Sequence, residues 1–164
     1  MGELEDAFIT FFRTQQKSLY RLAYSYTKNE QDALDVLQDS IQKGWRSLDK
    51  LTNREQMKSW FYTILVRTAI DLLSKQKRIE LFGDDTILQL SEQDTYRNFD
   101  LLKALYQLPI QLREVVVLRY FEDLKIEEIA HILGIPLSTA KSRLYKALKL
   151  LKIELEMEEN LING

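Results

Sequence analysis

An all-α fold of two small helical domains is predicted by three features of this chain. Two prolines and five glycines in 164 residues leave little material for the turns a β protein needs. Apolar residues recur at three- and four-residue spacing along most of the length, the period of one helix face. An acidic stretch from Gly83 to about Tyr96, opened by the breaker Gly83-Asp84-Asp85, divides the helical segments into two groups. The expected organisation is a domain over 1–80, a flexible acidic linker over 81–98 and a domain over 99–164.

The first helix is expected from Leu4 to about Thr27, where Phe8, Phe11, Phe12, Leu19, Leu22, Ala23 and Tyr26 keep roughly helical period. Asn29 is placed to cap the second, with Glu30 and Asp32 in its first turn, where acids suit the positive end of the helix dipole. That helix runs to about Trp45 or Leu48 with Ala33, Val36, Leu37, Ile41 and Trp45 inward. Asp32, Asp35, Gln38, Asp39 and Gln42 make an acidic, amide-bearing strip on its other side. LTNREQ, Leu51 to Gln56, is a polar break. The third helix, Met57 to about Lys77, carries a stripe of Met57, Trp60, Phe61, Ile64, Leu65, Thr68, Ala69, Leu72 and Leu73. Tyr62, Val66, Arg67 and Ile70 fall off that stripe and are expected to be exposed. A short helix around Thr86 to Leu90 is expected within the linker.

The second domain begins near Phe99. Its Leu101, Leu102, Leu105 and Leu108 lead to Pro109, and Val115, Val116, Leu118, Tyr120 and Phe121 lead on to IEEIAHILGIPLSTAKSRLYKALK, Ile126 to Lys149. Here Ile126, Ile129, Ala130 and Leu133 line one helix face, Gly134 can take positive φ, and Pro136 stops the helix. Ser138 or Thr139 can cap the next helix, whose expected buried stripe is Ala140, Leu144, Leu148 and Leu151. Its front bears Ser138, Thr139, Lys141, Ser142, Arg143, Tyr145, Lys146 and Lys149, with no acid from Ser138 through Lys152. A helix-turn-helix with a basic, hydroxyl-rich second helix suits a DNA major groove. The acidic tail MEENLING is expected to fray.

Composition narrows the function. Without cysteine there is no disulfide, thiolate metal site or thiol nucleophile. The single histidine, His131, is read as a solvated helix residue and cannot alone build a His-based zinc site, and no catalytic constellation or cofactor motif is present. No apolar run approaches the ~20 residues of a membrane span, and the start MGELEDAF is unlike a secretion signal, so a cytoplasmic protein without membrane insertion is expected. The net charge of −2 is unusual for an independent DNA binder. Basic residues are local, at Arg67, Lys75, Lys77 and Arg78 and from Lys141 to Lys152, which points to DNA contact strengthened by a larger partner.

Three stretches, DALDVLQDSIQKGW (Asp32 to Trp45), WFYTILVRTAIDLLSKQKR (Trp60 to Arg78) and the run from Leu108 to Leu151, taken in this order, resemble the extracytoplasmic-function sigma factors of bacterial RNA polymerase, in wording most like the sigma-V type. The resemblance implies binding to core RNA polymerase, with the helix matching Asp32 to Trp45 on the β′ clamp and the second domain toward the β flap. Asp35, Gln38, Asp39 and Gln42 would offer carboxylates and amides to that clamp. It implies recognition of a −10 element by Asn53, Arg54, Gln56, Tyr62, Val66 and Arg67, the loop forming part of a pocket for a flipped base. It implies recognition of a −35 element by Ser138, Thr139, Lys141, Ser142, Tyr145, Lys146 and Lys149. Arg67 stands where many members have asparagine, which exchanges an amide's donor and acceptor for donors only. Ser138 and Ala140 stand where glycine and valine are frequent. An anti-sigma factor, membrane-bound in a cell-envelope stress response, is the implied inhibitor. A stand-alone helix-turn-helix regulator and a protein-only helical adaptor are the alternatives. The acidic balance and the want of a ligand domain disfavour the first.

Overall fold

The structure, a computed structural model, describes residues 2–82 and 99–163, with side chains described over 2–77 and 101–152. Within these residues every regular element is a helix: α1 (Glu3–Thr27), α2 (Glu30–Ser47), α3 (Met57–Phe82), α4 (Phe99–Gln107), α5 (Ile110–Val116), α6 (Ile126–Leu133) and α7 (Leu137–Asn163). The expected linker from residue 83 on, with its short helix, lies outside the described residues.

Local chemistry sets the boundaries. α1 ends at Lys28, whose φ of 59° lets its N–H donate to the Tyr24 carbonyl at 2.8 Å. The Asn29 side chain then accepts the Asp32 N–H at 2.7 Å, the cap expected from sequence. Two short 3₁₀ turns, Leu48–Lys50 and Arg54–Gln56, form the break before α3. α5 runs into one π turn, Val117–Phe121, and the left-handed Asp123 turns the chain toward α6.

α1, α2 and α3 form an N-terminal bundle around Phe8, Leu19, Leu22, Val36, Phe61 and Leu65, all essentially inaccessible to solvent. Phe61 meets the rings of Phe8 and Phe11 edge-on, with centroids 5.6 and 5.8 Å away. Gly44 makes room for this cluster, since a Cβ there would stand 3.1 Å from the Phe8 ring and 3.2 Å from Phe61. Trp45, expected inward, is 46% exposed: its ring lies against Phe8 at the bundle edge, 6.1 Å between centroids. The C-terminal bundle of α4 to α7 encloses Leu105, Leu112, Val115, Leu118, Leu124, Ile129, Ala140, Ala147 and Leu151. Leu148, expected in the α7 stripe, is 39% exposed and Ala147 is buried in its place. The stripe thus advances 140, 144, 147, 151, the alternation of fours and threes that a 3.6-residue period requires. The tail expected to fray continues α7 to Asn163.

The two bundles are docked on each other. α1 packs on α5 and the π turn, and α3 packs on α6. The expectation that Tyr62 and Val66 are exposed is therefore corrected: they are 0% and 2% exposed. With Ala69 they form a second apolar stripe on α3, spaced four and three, beside the stripe that faces α1 and α2. The junction is strongly polar. Tyr62 donates its hydroxyl to a Glu122 carboxylate oxygen at 2.8 Å, and Tyr26 donates to Glu114 at 2.6 Å. The Arg113 Nε donates to the Ser25 carbonyl at 2.6 Å, and Lys28 Nζ donates to the Tyr106 carbonyl at 2.7 Å.

Desolvation raises the pKa of both Glu114 and Glu122 above the ordinary 4.5. Opposing it are Tyr26, Arg143 and Arg113 around Glu114, and Tyr62, Arg21 and Ser18 around Glu122. A carboxyl raised in the folded chain binds its proton more tightly there than when unfolded. Its contribution is thus fully present below about pH 4.5 and is lost as pH rises through the raised value. In urea unfolding from pH 7.5 to 4.5, the wild type is expected to gain stability relative to Glu122→Gln as pH falls. A pH-independent difference between the two would refute this.

Candidate nucleic-acid interface

Gly134 builds the helix-turn-helix. At φ 66° its N–H reaches back to the His131 carbonyl, and the Ile135 N–H reaches the Ala130 carbonyl at 3.0 Å, closing α6 in a left-handed cap. α7 then starts at Leu137, two residues earlier than a Ser138 cap and three earlier than a Thr139 cap would place it. The Pro136 carbonyl accepts the Ala140 N–H at 3.0 Å, leaving Ser138 exposed and Thr139 half-buried on the first turn.

With Ala140, Ala147 and Leu151 anchoring its back, α7 presents Ser138, Lys141, Ser142, Tyr145, Lys146 and Lys149 to solvent. Tyr145 is 75% exposed, the most open of the large hydrophobic side chains described. A cleft of about 520 Å³ runs between the starts of α5 and α7, lined by Pro109, Gln111, Leu112, Ser138, Thr139, Ser142, Arg143 and Lys146. It gathers two cations and three hydroxyls with no carboxylate on its walls. The residues expected at the −35 element include neither Gln111 nor Arg143, although Arg143 belongs to the expected basic front of the helix. Gln111 belongs to a segment read only for its apolar pattern, and Arg143 is half-buried near Glu114.

A second cleft, about 570 Å³, lies along the start of α3 and brings together Gln56 and Arg67 with Lys50, Thr52, Ser59, Trp60 and Thr63. His131 of α6 closes its far side. Trp60, expected in the core, is half-buried and divides its contacts between this cleft and Phe8. Asn53 and Arg54 are exposed but do not line the cleft. Asn53 uses its side-chain oxygen to accept the Glu55 N–H at 3.0 Å, capping the 3₁₀ turn. Tyr62 and Val66 are on the same helix as Arg67 but lie under the C-terminal bundle. Of the six residues expected at the −10 element, Gln56 and Arg67 therefore share a surface in this arrangement.

On α2, Asp35, Gln38, Asp39 and Gln42 are all exposed along one face. Asp39 has Lys43 at 3.8 Å, an exposed i,i+4 pair of little energetic weight. Asp32 is engaged with Asn29 and Gln76, each at 2.7 Å, and so belongs to the scaffold. Beside the strip, Phe12, Gln16, Lys17 and Tyr20 of α1 and Leu34, Leu37, Gln38 and Ile41 of α2 border an apolar cleft of about 550 Å³. Leu34, half exposed at its rim, went unnoticed in the sequence because one off-stripe leucine is ordinary. Among the described residues no cluster of His, Asp and Glu could hold a metal ion, and no helix is long and apolar enough to cross a membrane.

Comparison with known proteins identifies the two bundles. Residues 11–79 match sigma-70 region 2 and residues 98–151 match sigma-70, region 4. The chain is 50% identical over 153 residues to the RNA polymerase sigma factor SigV of Bacillus subtilis, covering 92% of each chain. It is 26% identical to the ECF RNA polymerase sigma factor SigW of the same organism, over 92% of this chain and 90% of the other. Among solved structures, the sigma factor RpoE in complex with the anti-sigma factor NepR from Bartonella quintana superposes with a TM-score of 0.78 at 25% identity, covering 91% of this chain and 96% of that one. α1 to α3 thus correspond to region 2 and α4 to α7 to region 4, and the chain belongs to the extracytoplasmic-function sigma factors of the sigma-70 family.

Proposed function

We propose that this chain is an alternative sigma factor that binds core RNA polymerase and directs initiation at specific promoters. The observation that carries the reading is the presence on one chain of an exposed acidic strip on α2 and two cation-bearing surfaces on α3 and α7. Core polymerase would be held through Asp35, Gln38, Asp39 and Gln42 on its β′ clamp, with region 4 near the β flap. The cleft at Gln56 and Arg67 would take the −10 element, with Asn53 and Arg54 beside it and Tyr62 and Val66 joining when the bundles part. The α7 front would enter the major groove of the −35 element. The protein would act in the cytoplasm as an initiation factor without catalytic chemistry of its own. An anti-sigma factor, membrane-anchored in an envelope stress response, would hold it inactive. Run-off transcription with purified core over a promoter library tests the reading. Specific starts should require both components, and none from the pair across the library would refute it.

Within α7, Lys141 and Ser142 stand early in the helix where base edges are reached, and Lys146 and Lys149 stand farther along toward phosphates. Lys141→Ala is expected to shift base preference by about 1–3 kcal/mol at one position, whereas Lys149→Ala should weaken all sequences alike. Binding measured over a set of single-base −35 variants separates the two. An identical, sequence-independent loss in both mutants would overturn the division.

A further inference from the structure

We propose that the docking of region 4 on region 2 is an autoinhibitory latch, in which the Phe121–Glu122 turn just before the helix-turn-helix clamps α1 and α3 and hides Tyr62 and Val66. The inference rests on the sigma-factor reading and adds a regulation held within the chain itself.

The latch is built from named contacts. The Glu122 side chain, fully inaccessible, takes the Tyr62 hydroxyl on one oxygen at 2.8 Å and the Arg21 Nε on the other at 3.4 Å. Lys58 donates to the Glu122 carbonyl at 3.0 Å, and Arg21 donates a second time to the Phe121 carbonyl at 2.9 Å. The Arg21 guanidinium also lies 5.3 Å from the centre of the Phe121 ring. One turn thus engages α1 through Arg21 and α3 through Lys58 and Tyr62. Nearer the end of α1, Tyr26 on Glu114 and Arg113 on the Ser25 carbonyl form a second clasp.

The chemistry is that of a contact made to open. Every donor and acceptor in it is a group that water can satisfy once the bundles separate, and burying two carboxylates costs much of what their partners return. The junction joins this polar clasp to the apolar stripe of Tyr62, Val66 and Ala69, and relative motion is the ordinary expectation for a domain interface that is not large and predominantly apolar. The closed state also has a consequence for promoter contact. α3 carries Arg67 exposed but Tyr62 and Val66 covered, and α6 brings His131 across the cleft that holds Gln56. The superposition on the Bartonella quintana structure spans 91% of the chain, so it includes both regions in one relative placement. In this chain all the contacts described are internal.

The experiment uses the full chain, which has no cysteine of its own and so accepts two spin labels at chosen positions. Asp49→Cys and Glu127→Cys are exposed and lie beside Lys50 and His131, which face one cleft. A short, narrow distance is expected in the free chain, lengthening on addition of core polymerase and in Arg21→Ala and Glu122→Ala without any polymerase. The unlabelled variants should bind a fork carrying a single-stranded −10 segment about tenfold more tightly than wild type, the gain expected when an open state near one-tenth populated becomes dominant. Arg21 is half exposed, so its variant keeps the fold even where loss of Glu122 does not. A broad, long distance in free wild type, or unchanged distance and DNA affinity in a folded Arg21→Ala, overturns the latch. Run-off transcription at saturating core separates the two ideas, because it fails in wild type only when the sigma-factor reading itself is wrong.

Discussion

Arg113→Ala is expected to destabilise the chain by about 3–5 kcal/mol, the loss that follows when one member of a buried, charge-assisted arrangement is removed. Arg113 is 4% exposed and its guanidinium serves three carbonyls: Ser25 at 2.6 Å, Tyr106 at 3.2 Å and Leu108 at 3.1 Å. Two of these lie at the end of α4 and one in the last turn of α1, where helix carbonyls lack intrahelical partners and carry partial negative charge. A single cation therefore terminates helices from both bundles. Truncation strands those carbonyls and removes the charge beside buried Glu114. Arg113→Lys keeps the charge but loses the planar fork, so it should recover only part of the loss. The urea midpoint followed by circular dichroism checks the order wild type, lysine, alanine. A cost under 1 kcal/mol for alanine would show that water replaces the guanidinium at all three carbonyls.

The Arg113 site shows why some of this molecule was legible in its sequence and some was not. α1, α2 and the helix-turn-helix declare themselves locally: Asn29 caps within three residues, Gly134 closes α6 within four, and the apolar period repeats inside each segment. The partners of the second stripe on α3 lie far off. Tyr62 meets Glu122 across 60 residues and Tyr26 meets Glu114 across 88, so no window on the chain contains both members. A helix buried on two sides looks, to periodicity, like a helix with one core face and a few exposed apolar residues. Periodicity alone therefore puts Tyr62 and Val66 on the exposed side. One signal was present: Arg113, Glu114 and Glu122 interrupt the apolar run LREVVVLRYFEDL, and charges set among so many valines and leucines need partners. Trp45 and Leu148 depart from the period for a smaller reason, because one step of drift in a 3.6-residue repeat moves a side chain from core to rim.

The largest functional effect is expected from reversing charge on the α2 strip. Asp35→Lys with Asp39→Lys should weaken binding to core polymerase by about 100-fold or more, since like charges brought together at an interface cost several kcal/mol. Both side chains are exposed, and neither makes a described hydrogen bond. The pair should therefore leave the fold within about 0.5 kcal/mol of wild type. Asp39 loses only the 3.8 Å contact with Lys43, and Asn29 and Asp32 still hold the start of α2. The DNA contacts proposed for α7 belong to the other bundle and should persist, so an isolated −35 duplex should bind as before or slightly better as net charge rises. The loss should shrink as salt is raised, because screening weakens the attraction lost and the repulsion introduced. The apolar cleft beside the strip, with Leu34 half exposed at its edge, should add a component that salt does not touch. Leu34→Ser would then weaken core binding equally at low and high salt. Titration of labelled protein with core at two ionic strengths reads both components. Wild-type affinity in the double lysine variant would move the polymerase contact off α2 altogether.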